Sequence, residues 1–269
     1  MTMRAWRPSP FLIFSATLHL GALGLIVVRT EWWHIAVGAL VLNHLALCAA
    51  GLWPRSTLLG ANIVRLPAAA AQRGEVALTF DDGPDPAVTP RVLAILATHG
   101  VQANFFCIGE RAAAFPQVCR AITAAGHAIE NHGQLHRKHY SLLGPQGWLR
   151  EVGAAQATLE AVSGQRPRFF RALAGLRNPF LDPVLHGLGI RLASWSRRGY
   201  DTRCSDPDRV LTRLTRDLAA GDILLLHDGN AARTVDGQAV ILEVLPRLLD
   251  ELAARKLTPV TLRSVCKTD

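Results

Sequence analysis

The sequence predicts an α/β fold, namely an incomplete, distorted (β/α)7 barrel preceded by an N-terminal transmembrane helical hairpin. Three observations lead to this prediction. Two long apolar runs open the chain, strand-like and helix-like segments alternate after them, and residues that suit a metal site follow several of the strands. About 195 of the 269 residues lie beyond the hairpin and a short linker, which is enough chain for one barrel core.

The two apolar runs cover residues 11–28 and 33–53. As helices, both are long enough to cross a hydrocarbon core of about 30 Å. Only residues 29–32 join them, so we expect residues 1–53 to form a membrane anchor. A cleaved signal peptide with Arg4 and Arg7 in its positive region is the alternative for the first run, but the second apolar run favours a retained anchor.

The distribution of charge predicts the side of the membrane. Arginines precede the first run and follow the second, whereas the connecting loop has Arg29 offset by Glu31. The positive-inside rule then places both ends of the hairpin, and the domain that follows, in the cytoplasm at the inner membrane. The five cysteines are odd in number and lack paired spacing, which suits a reducing compartment.

After a linker at 54–74, residues 75–269 alternate between strand-like and helix-like segments. Strands are expected near 75–80, 103–108, 127–131, 168–172, 190–195, 222–227 and 258–262. The net charge of +8 is spread along the chain without an aromatic-interleaved stripe, which argues against nucleic acid as a partner.

The first strand ends in Thr79-Phe80-Asp81-Asp82-Gly83-Pro84. Adjacent side chains on an extended backbone point in different directions, so one aspartate can bind a cation while the other stays free as a base. The alternative is an ordinary turn, since Asp-Gly and Asp-Pro are common turn dipeptides and aspartate is frequent where strands end.

A second cluster, Asn131-His132-Gly133-Gln134-Leu135-His136, favours the metal site. One carboxylate and two imidazoles are a frequent ligand set for a catalytic divalent metal, with Asp82, His132 and His136 as the candidates. The two histidines are four residues apart, so on one helical turn they would share a face. Two exposed histidines in a polar loop are the alternative.

Three further strand ends carry polar residues that suit an active site. Phe169-Phe170-Arg171 ends in a cation, Trp195 to Asp201 follows another strand, and Ile223-Leu224-Leu225-Leu226-His227 is an apolar strand that ends in a histidine. Parallel strands of an α/β fold gather their chemistry at their carboxyl ends, so we expect these residues to converge on the aspartates.

In order and spacing, these motifs resemble the polysaccharide deacetylase family, carbohydrate esterase family 4, with its NodB-homology domain. The resemblance covers about residues 74–263. The motif around Asp81 matches fully, the two-histidine motif has Gly133 in place of the usual Ser or Thr, and the motif ending at His227 matches. The two middle motifs differ: residues 171–175 replace Arg-Pro-Pro-Tyr-Gly, and residues 198–202 replace Asp-x-x-Asp-Trp.

The resemblance implies a role for each matching residue. Asp82, His132 and His136 would hold zinc, cobalt or another divalent ion, and Asp81 would be the base that takes a proton from the attacking water. The backbone N–H of Ala174 would stabilise the oxyanion.

The remaining matches concern the partners of the base and the acid. The resemblance implies that Arg171 tethers the base and that His227, paired with Asp201, protonates the leaving amine. An ordinary cation at a strand end is the less favoured alternative for Arg171, and the motif around Asp201 is the poorest match.

The departures from the family pattern predict a reshaped substrate groove. Residues 172–174 lack the proline and the aromatic ring of the family, and the nearby segment is rich in arginine. Trp195, Arg197, Arg198 and Arg177 are therefore candidate substrate contacts, and arginine clusters suit phosphate recognition. A solvated basic loop is the alternative.

The resemblance implies a metal-dependent hydrolase that removes an N-acetyl or other N-acyl group from an amino sugar, and the apolar hairpin with the arginines suggests a membrane-associated or lipid-linked glycan. One alternative is an N-deacetylase of peptidoglycan or an exopolysaccharide on the outer side of the membrane, where many relatives act. The other alternative is a sugar-binding relative that has lost catalysis.

Overall fold

The structure is a computed structural model that describes residues 5–266. Its centre is a parallel sheet that curls into an incomplete barrel, which confirms the predicted fold class. In chain order the strands are β1 Glu75–Asp81, β2 Asn104–Cys107, β3 Ala128–Asn131, β4 Phe169–Phe170, β5 Arg191–Leu192, β6 Arg197–Arg198, β7 Ile223–His227 and β8 Thr258–Pro259.

Helices precede the sheet and alternate with its strands. In chain order they are α1 Pro10–Val28, α2 Trp33–Leu52, α3 Ala68–Gln72, α4 Thr89–Thr98, α5 Gly109–Ala114, α6 Pro116–Ala124, α7 Pro145–Ser163, α8 Leu181–Leu188, α9 Pro207–Thr215, α10 Ile241–Ala254 and α11 Leu262–Val265. The largest apolar core contains residues of the central strands and of α4, α6, α9 and α10, so these helices bury their apolar faces against the sheet.

The strand order is β5-β4-β3-β2-β1-β7-β6, and β8 pairs with the beginning of β1. Every one of these strand pairs is parallel, so the strands present their carboxyl ends at one edge. In this register Asp81 lies beside His227 of β7, and Asn131 lies beside Phe170 of β4. Residues that directly follow these strands therefore meet at one mouth of the barrel.

Two parts of the barrel differ from the sequence prediction. Strand β6 was not predicted, because two adjacent arginines carry no apolar alternation. The segment 54–74, predicted as a linker, also makes backbone pairs with the sheet region. Ile63 pairs with Ala193 beyond β5, and Arg65 pairs with Asp222 before β7. This segment thus bonds to the chain just beyond β5 and just before β7.

Helices α1 and α2 form an N-terminal hairpin. Asn43 Nδ2 donates to Ser15 Oγ across the two helices at 2.8 Å, and the rings of His19 and His44 lie 5.1 Å apart. The polar side chains of the hairpin therefore contact each other, while most of its apolar side chains are exposed. With mean hydropathies of 2.2 and 2.0, both helices are long and apolar enough to cross a membrane.

Both ends of the hairpin contact the barrel. Ser9 at the beginning of α1 donates through Oγ to the carbonyl of Leu58 at 2.5 Å. Beyond α2, the carbonyl of Pro54 accepts a hydrogen bond of 2.8 Å from Ser194 Oγ, beside the carboxyl end of β5. The hairpin is thus attached at the same edge of the sheet where the strand-end residues meet.

Candidate active site

The predicted metal ligands converge at the carboxyl ends of β1 and β3. His132 Nε2 lies 3.2 Å from Asp82 Oδ1, and His136 Nε2 lies 2.8 Å from the same oxygen. The three ligand atoms all lie within 4.8 Å of one another. Burial alone would raise the pKa of Asp82, but the two imidazoles lower that pKa well below its usual range.

The arrangement fits a cation better than a set of hydrogen bonds. Despite its closeness to Asp82, His136 Nε2 is buried without a hydrogen-bond partner among the residues that the structure describes. His132 Nδ1 donates to the carbonyl of Arg171 at 2.8 Å, which leaves its Nε2 free as a ligand atom. A divalent cation among these atoms would satisfy all of them.

One detail of the predicted histidine pair is wrong. Residues 132–136 form a loop, not a helical turn. Gly133 has φ 85° and His136 has φ 54°, and these left-handed residues bend the chain so that both rings face Asp82. The bend of this loop, and not a helical turn, therefore brings the two histidines together.

Glu151 of α7 holds this loop, a role that the sequence analysis missed. Its Oε1 accepts hydrogen bonds from the backbone N–H groups of Gln134 and Leu135 and from the Tyr140 hydroxyl. The only sequence cue is a carboxylate on the otherwise buried face of α7.

Asn230 and Arg111, also missed from sequence, hold Asp82 from the other side. Asn230 Nδ2 donates to Asp82 Oδ2 at 3.0 Å, while Arg111 donates to the Asp82 carbonyl at 2.6 Å and to Asn230 Oδ1 at 2.9 Å. Asp82 Oδ1 is thereby left facing the histidines. Asn230 follows the His227 motif closely, and that position was the available cue.

Asp81 pairs with Arg171, as predicted. Arg171 is fully buried and donates through Nη1 to Asp81 Oδ1 at 2.7 Å. Its other donors bond Thr79 Oγ1 and the carbonyls of Ala193 and Ser194, so the guanidinium is held in one orientation. Burial lowers the pKa of Arg171, while the charge of Asp81 opposes that effect. Asp81 Oδ2 lies 3.8 Å from His132 Nε2.

His227 pairs with Asp201, as predicted. Its Nδ1 lies 2.8 Å from Asp201 Oδ1, and its backbone N–H donates to Asp201 Oδ2 at 2.7 Å. Burial lowers the pKa of His227, but the charge of Asp201 and its hydrogen bond outweigh burial and raise that pKa to about 9. This pairing favours the protonated imidazole, whose Nε2 is directed away from Asp201.

Ala174 follows Arg171 within the short turn Leu173–Gly175. It adopts the left-handed region with φ 51°, an uncommon conformation for a residue other than glycine. Asp82, His136 and Asn230 have positive φ as well. Unusual backbone conformations thus recur among the residues of this site.

Comparisons with known proteins agree with this geometry. Residues 68–193 match the polysaccharide deacetylase family model. The chain is 34% identical to a chitooligosaccharide deacetylase of Azorhizobium caulinodans over 158 residues, which is 58% of this chain and 75% of that protein. The chain belongs to the polysaccharide deacetylase family. Polysaccharide deacetylases are divalent-metal enzymes, and the Asp82, His132 and His136 cluster fits such an ion.

Two further polysaccharide deacetylases extend the comparison. A peptidoglycan-N-acetylglucosamine deacetylase of Bacillus cereus is 29% identical over 201 residues, 73% of this chain and 70% of that protein. The family 4 carbohydrate esterase of Streptomyces lividans, solved with acetate, has a TM-score of 0.63 and 30% identity, and the match covers 69% of this chain and 91% of that one. Membership makes this chain a hydrolase of carbon–nitrogen bonds other than peptide bonds.

The four predicted substrate contacts separate into two groups. Trp195, Arg197 and Arg198 line one cavity, but Arg177 does not. Arg177 is buried, donates to the carbonyl of Ser56 and bonds through its backbone N–H to the Gly51 carbonyl of α2. Its place as a substrate contact is therefore corrected: Arg177 attaches the hairpin to the barrel.

Proposed function

We propose that this polysaccharide deacetylase removes an N-acetyl or other N-acyl group from an amino sugar with the help of a divalent metal. The observation that carries the proposal is the placement of Asp81 between the Asp82, His132 and His136 cluster and His227 on the adjacent strand. A sugar-binding protein without catalysis has no use for both a base and an acid beside a metal site. The names of the curated relatives support the substrate class.

The mechanism divides the proton transfers between two residues. A divalent cation held by Asp82, His132 and His136 would acidify a water molecule and polarise the amide carbonyl. Asp81, oriented by Arg171, takes the proton of the attacking water, and the Ala174 N–H stabilises the developing oxyanion. His227, kept protonated by Asp201, donates a proton to the departing amine, so that acetate and a free amino sugar leave.

Zinc is the metal we propose, with cobalt as a substitute. One carboxylate and two imidazole nitrogens form a ligand set that zinc prefers, and three protein ligands leave positions open for water and substrate. Asn230 and the Arg171 carbonyl orient the ligands from outside the cluster.

We further propose that residues 1–53 anchor residues 75–269 to the inner membrane, with the catalytic domain on the cytoplasmic face. The anchor and the base are close together. Pro54 bonds Ser194, Ser194 bonds Arg171, and Arg171 bonds Asp81, with hydrogen bonds of 2.8, 2.9 and 2.7 Å. A site at this position favours a glycan carried on a membrane lipid over a soluble polymer.

Acetate release by the full-length, zinc-loaded protein in detergent tests the function. We expect turnover with an N-acetylhexosamine linked through phosphate to a prenyl chain, its loss after chelation, and its return with zinc. An N-formylated substrate tests the acyl group. If the metal-loaded protein released no acyl group from lipid-linked sugars, chitotetraose or peptidoglycan fragments, the deacetylase proposal would be wrong, and binding without turnover would identify a sugar-binding protein.

A further inference from the structure

Apart from the metal site, the barrel has a strongly basic cavity. It measures about 590 Å³ and lies between the β6 segment and α9. Arginines from three parts of the chain line it: Arg55 beyond α2, Arg198 of β6, and Arg209 and Arg213 of α9. The arginines of α9 are four residues apart and so share one face of that helix.

Not all of the arginines at this cavity are free to bind a ligand. Arg197 donates to Asp222 Oδ2 at 2.9 Å and to the carbonyls of Arg216 and Asp217, so it builds the wall. Arg198 differs, because within residues 5–266 its buried Nε has no hydrogen-bond partner. The acid among the lining residues, Asp208, already accepts a hydrogen bond of 2.7 Å from Arg247.

Aromatic rings lie against the guanidinium groups of Arg198 and Arg213, and Arg213 Nη1 also donates a long hydrogen bond of 3.4 Å to the Gly199 carbonyl. Arg198 lies over Trp195 and Tyr200, with its Cζ 5.5 and 4.8 Å from the two ring centroids. Arg213 lies over the same tyrosine ring, with its Cζ 5.6 Å from the centroid. Stacking of this kind leaves the edge of a guanidinium open, and that edge presents paired N–H groups to an oxyanion.

The cavity lies between the membrane anchor and the proposed general acid. Arg55 is three residues beyond the end of α2 and donates to the Ser196 carbonyl at 2.5 Å. On the other side, Tyr200 directly precedes Asp201, the partner of His227. A ligand in the cavity would thus be near both the bilayer surface and the mouth of the barrel.

We propose that this cavity binds a phosphate group of the substrate, and that Arg198, Arg209 and Arg213 are the residues that hold it. The inference rests on the proposed deacetylase function and deepens it. Arginine forks bind phosphate oxygens in pairs, and a neutral glycan offers no charge to match them. A phosphate that joins the amino sugar to a lipid would lie here with its lipid chain beside α2.

The test compares three acetylated substrates with the full-length, zinc-loaded protein: N-acetylglucosamine 1-phosphate, its prenyl phosphodiester, and neutral chitotetraose. In Arg209→Gln and Arg198→Gln, we expect the ratio of kcat/KM for the prenyl substrate to that for chitotetraose to fall at least tenfold. Arg120→Gln, an exposed arginine on α6, is the matched control and should leave this ratio unchanged. Arg209 is exposed, so its replacement leaves the barrel packing intact.

Each outcome decides a different question. A loss with both phosphate substrates shows that the phosphate itself is recognised, and a loss with the prenyl substrate alone shows that the lipid-linked form is required. An unchanged ratio in both variants, or no wild-type turnover of either phosphate substrate beside active turnover of chitotetraose, overturns the inference and leaves the deacetylase function standing.

A binding measurement covers the case in which the wild type releases no acetate at all. Calorimetric titration of the same protein with prenyl phosphate should show at least tenfold weaker binding in Arg209→Gln than in Arg120→Gln. Equal affinity in the two variants would exclude the cavity as a phosphate site.

Discussion

Asp81 and Asp82 are neighbours in the chain, and their surroundings assign them different chemistry. Asp82 has left-handed backbone with φ 69°, which turns its carboxylate toward the two histidines. Asp81 remains in the strand and meets Arg171. Two aspartates in one strand would simply alternate sides, so the division depends on the bend that follows Asp81.

Asp81→Asn should retain the metal and lose hydrolysis. The amide keeps the size of the side chain but cannot accept the proton of water, so we expect kcat to fall by about 10²–10⁴-fold. Acetate release and metal content measured on the same sample check this outcome. Asp250→Asn, at an exposed site on α10, is the control. Unchanged turnover in Asp81→Asn would exclude Asp81 as the base.

The pH dependence of kcat/KM should follow the titration of the His227 imidazole. The protonated imidazole is the active acid, so activity is present below its pKa and is lost as the pH rises through it. We expect an alkaline limb at or below about 9, since a bound cation would offset the part of the shift that Asp81 and Asp82 contribute.

Asp201→Asn should move this limb toward lower pH, because it removes the charge that stabilises the imidazolium. The pH profiles of kcat/KM for the wild type and the variant check the shift. A limb at the same pH in both proteins would show that a different group is the acid.

Asn230→Ala should weaken metal binding about 10–100-fold, the usual effect of losing a partner that orients a ligand. The variant leaves Asp82 Oδ2 without its amide donor, so the carboxylate can rotate away from the histidines. Competition with a chelator measures the affinity. Gln117→Ala on the exposed face of α6 serves as the control, and equal affinities would refute the positioning role.

At the scale of elements, the metal loop depends on α7. Glu151→Ala removes one acceptor shared by three donors, and each donor left unsatisfied costs about 1–3 kcal/mol. We expect a lower Tm and weaker metal binding, both measured in detergent by thermal unfolding with and without zinc. Glu160→Ala, a half-exposed residue of the same helix, should change neither. A variant of Glu151 with wild-type metal affinity would contradict this account.

The elements also show where sequence patterns lose information. Strands β1 and β7 were predicted nearly residue for residue, because both are apolar runs that end in polar motifs. Strands β4, β5 and β8 have only two residues each, so their predicted ranges were too long. Strand β6 carries two arginines and is defined by its pairing with β7 alone. Pairing partners far away in the chain decide such short strands, and local periodicity cannot report them.

At the scale of the whole molecule, both ends of the hairpin contact the barrel, and the turn at residues 29–32 lies at the opposite end of the two helices. We therefore expect the barrel and both ends of the hairpin to lie on one side of the membrane. We expect an alkaline phosphatase reporter fused after Gly74 to be inactive and a cytoplasmic reporter at the same position to be active. A fusion at residues 29–32, in the turn, should give the reverse result. An active phosphatase after Gly74 would place the catalytic domain outside the cytoplasm.

The sequence by itself determined the fold class, the family and the residue types of the site, because the apolar strands and the motifs that follow them are local patterns. Only the tertiary structure decided how the histidine loop bends, that Arg177 attaches the hairpin, and that Asn230, Arg111 and Glu151 support the metal ligands. It also decided that the arginine cavity lies between the anchor and the acid. These features join residues 11 to 148 positions apart, and such contacts follow from packing and hydrogen-bond geometry, which no local pattern contains.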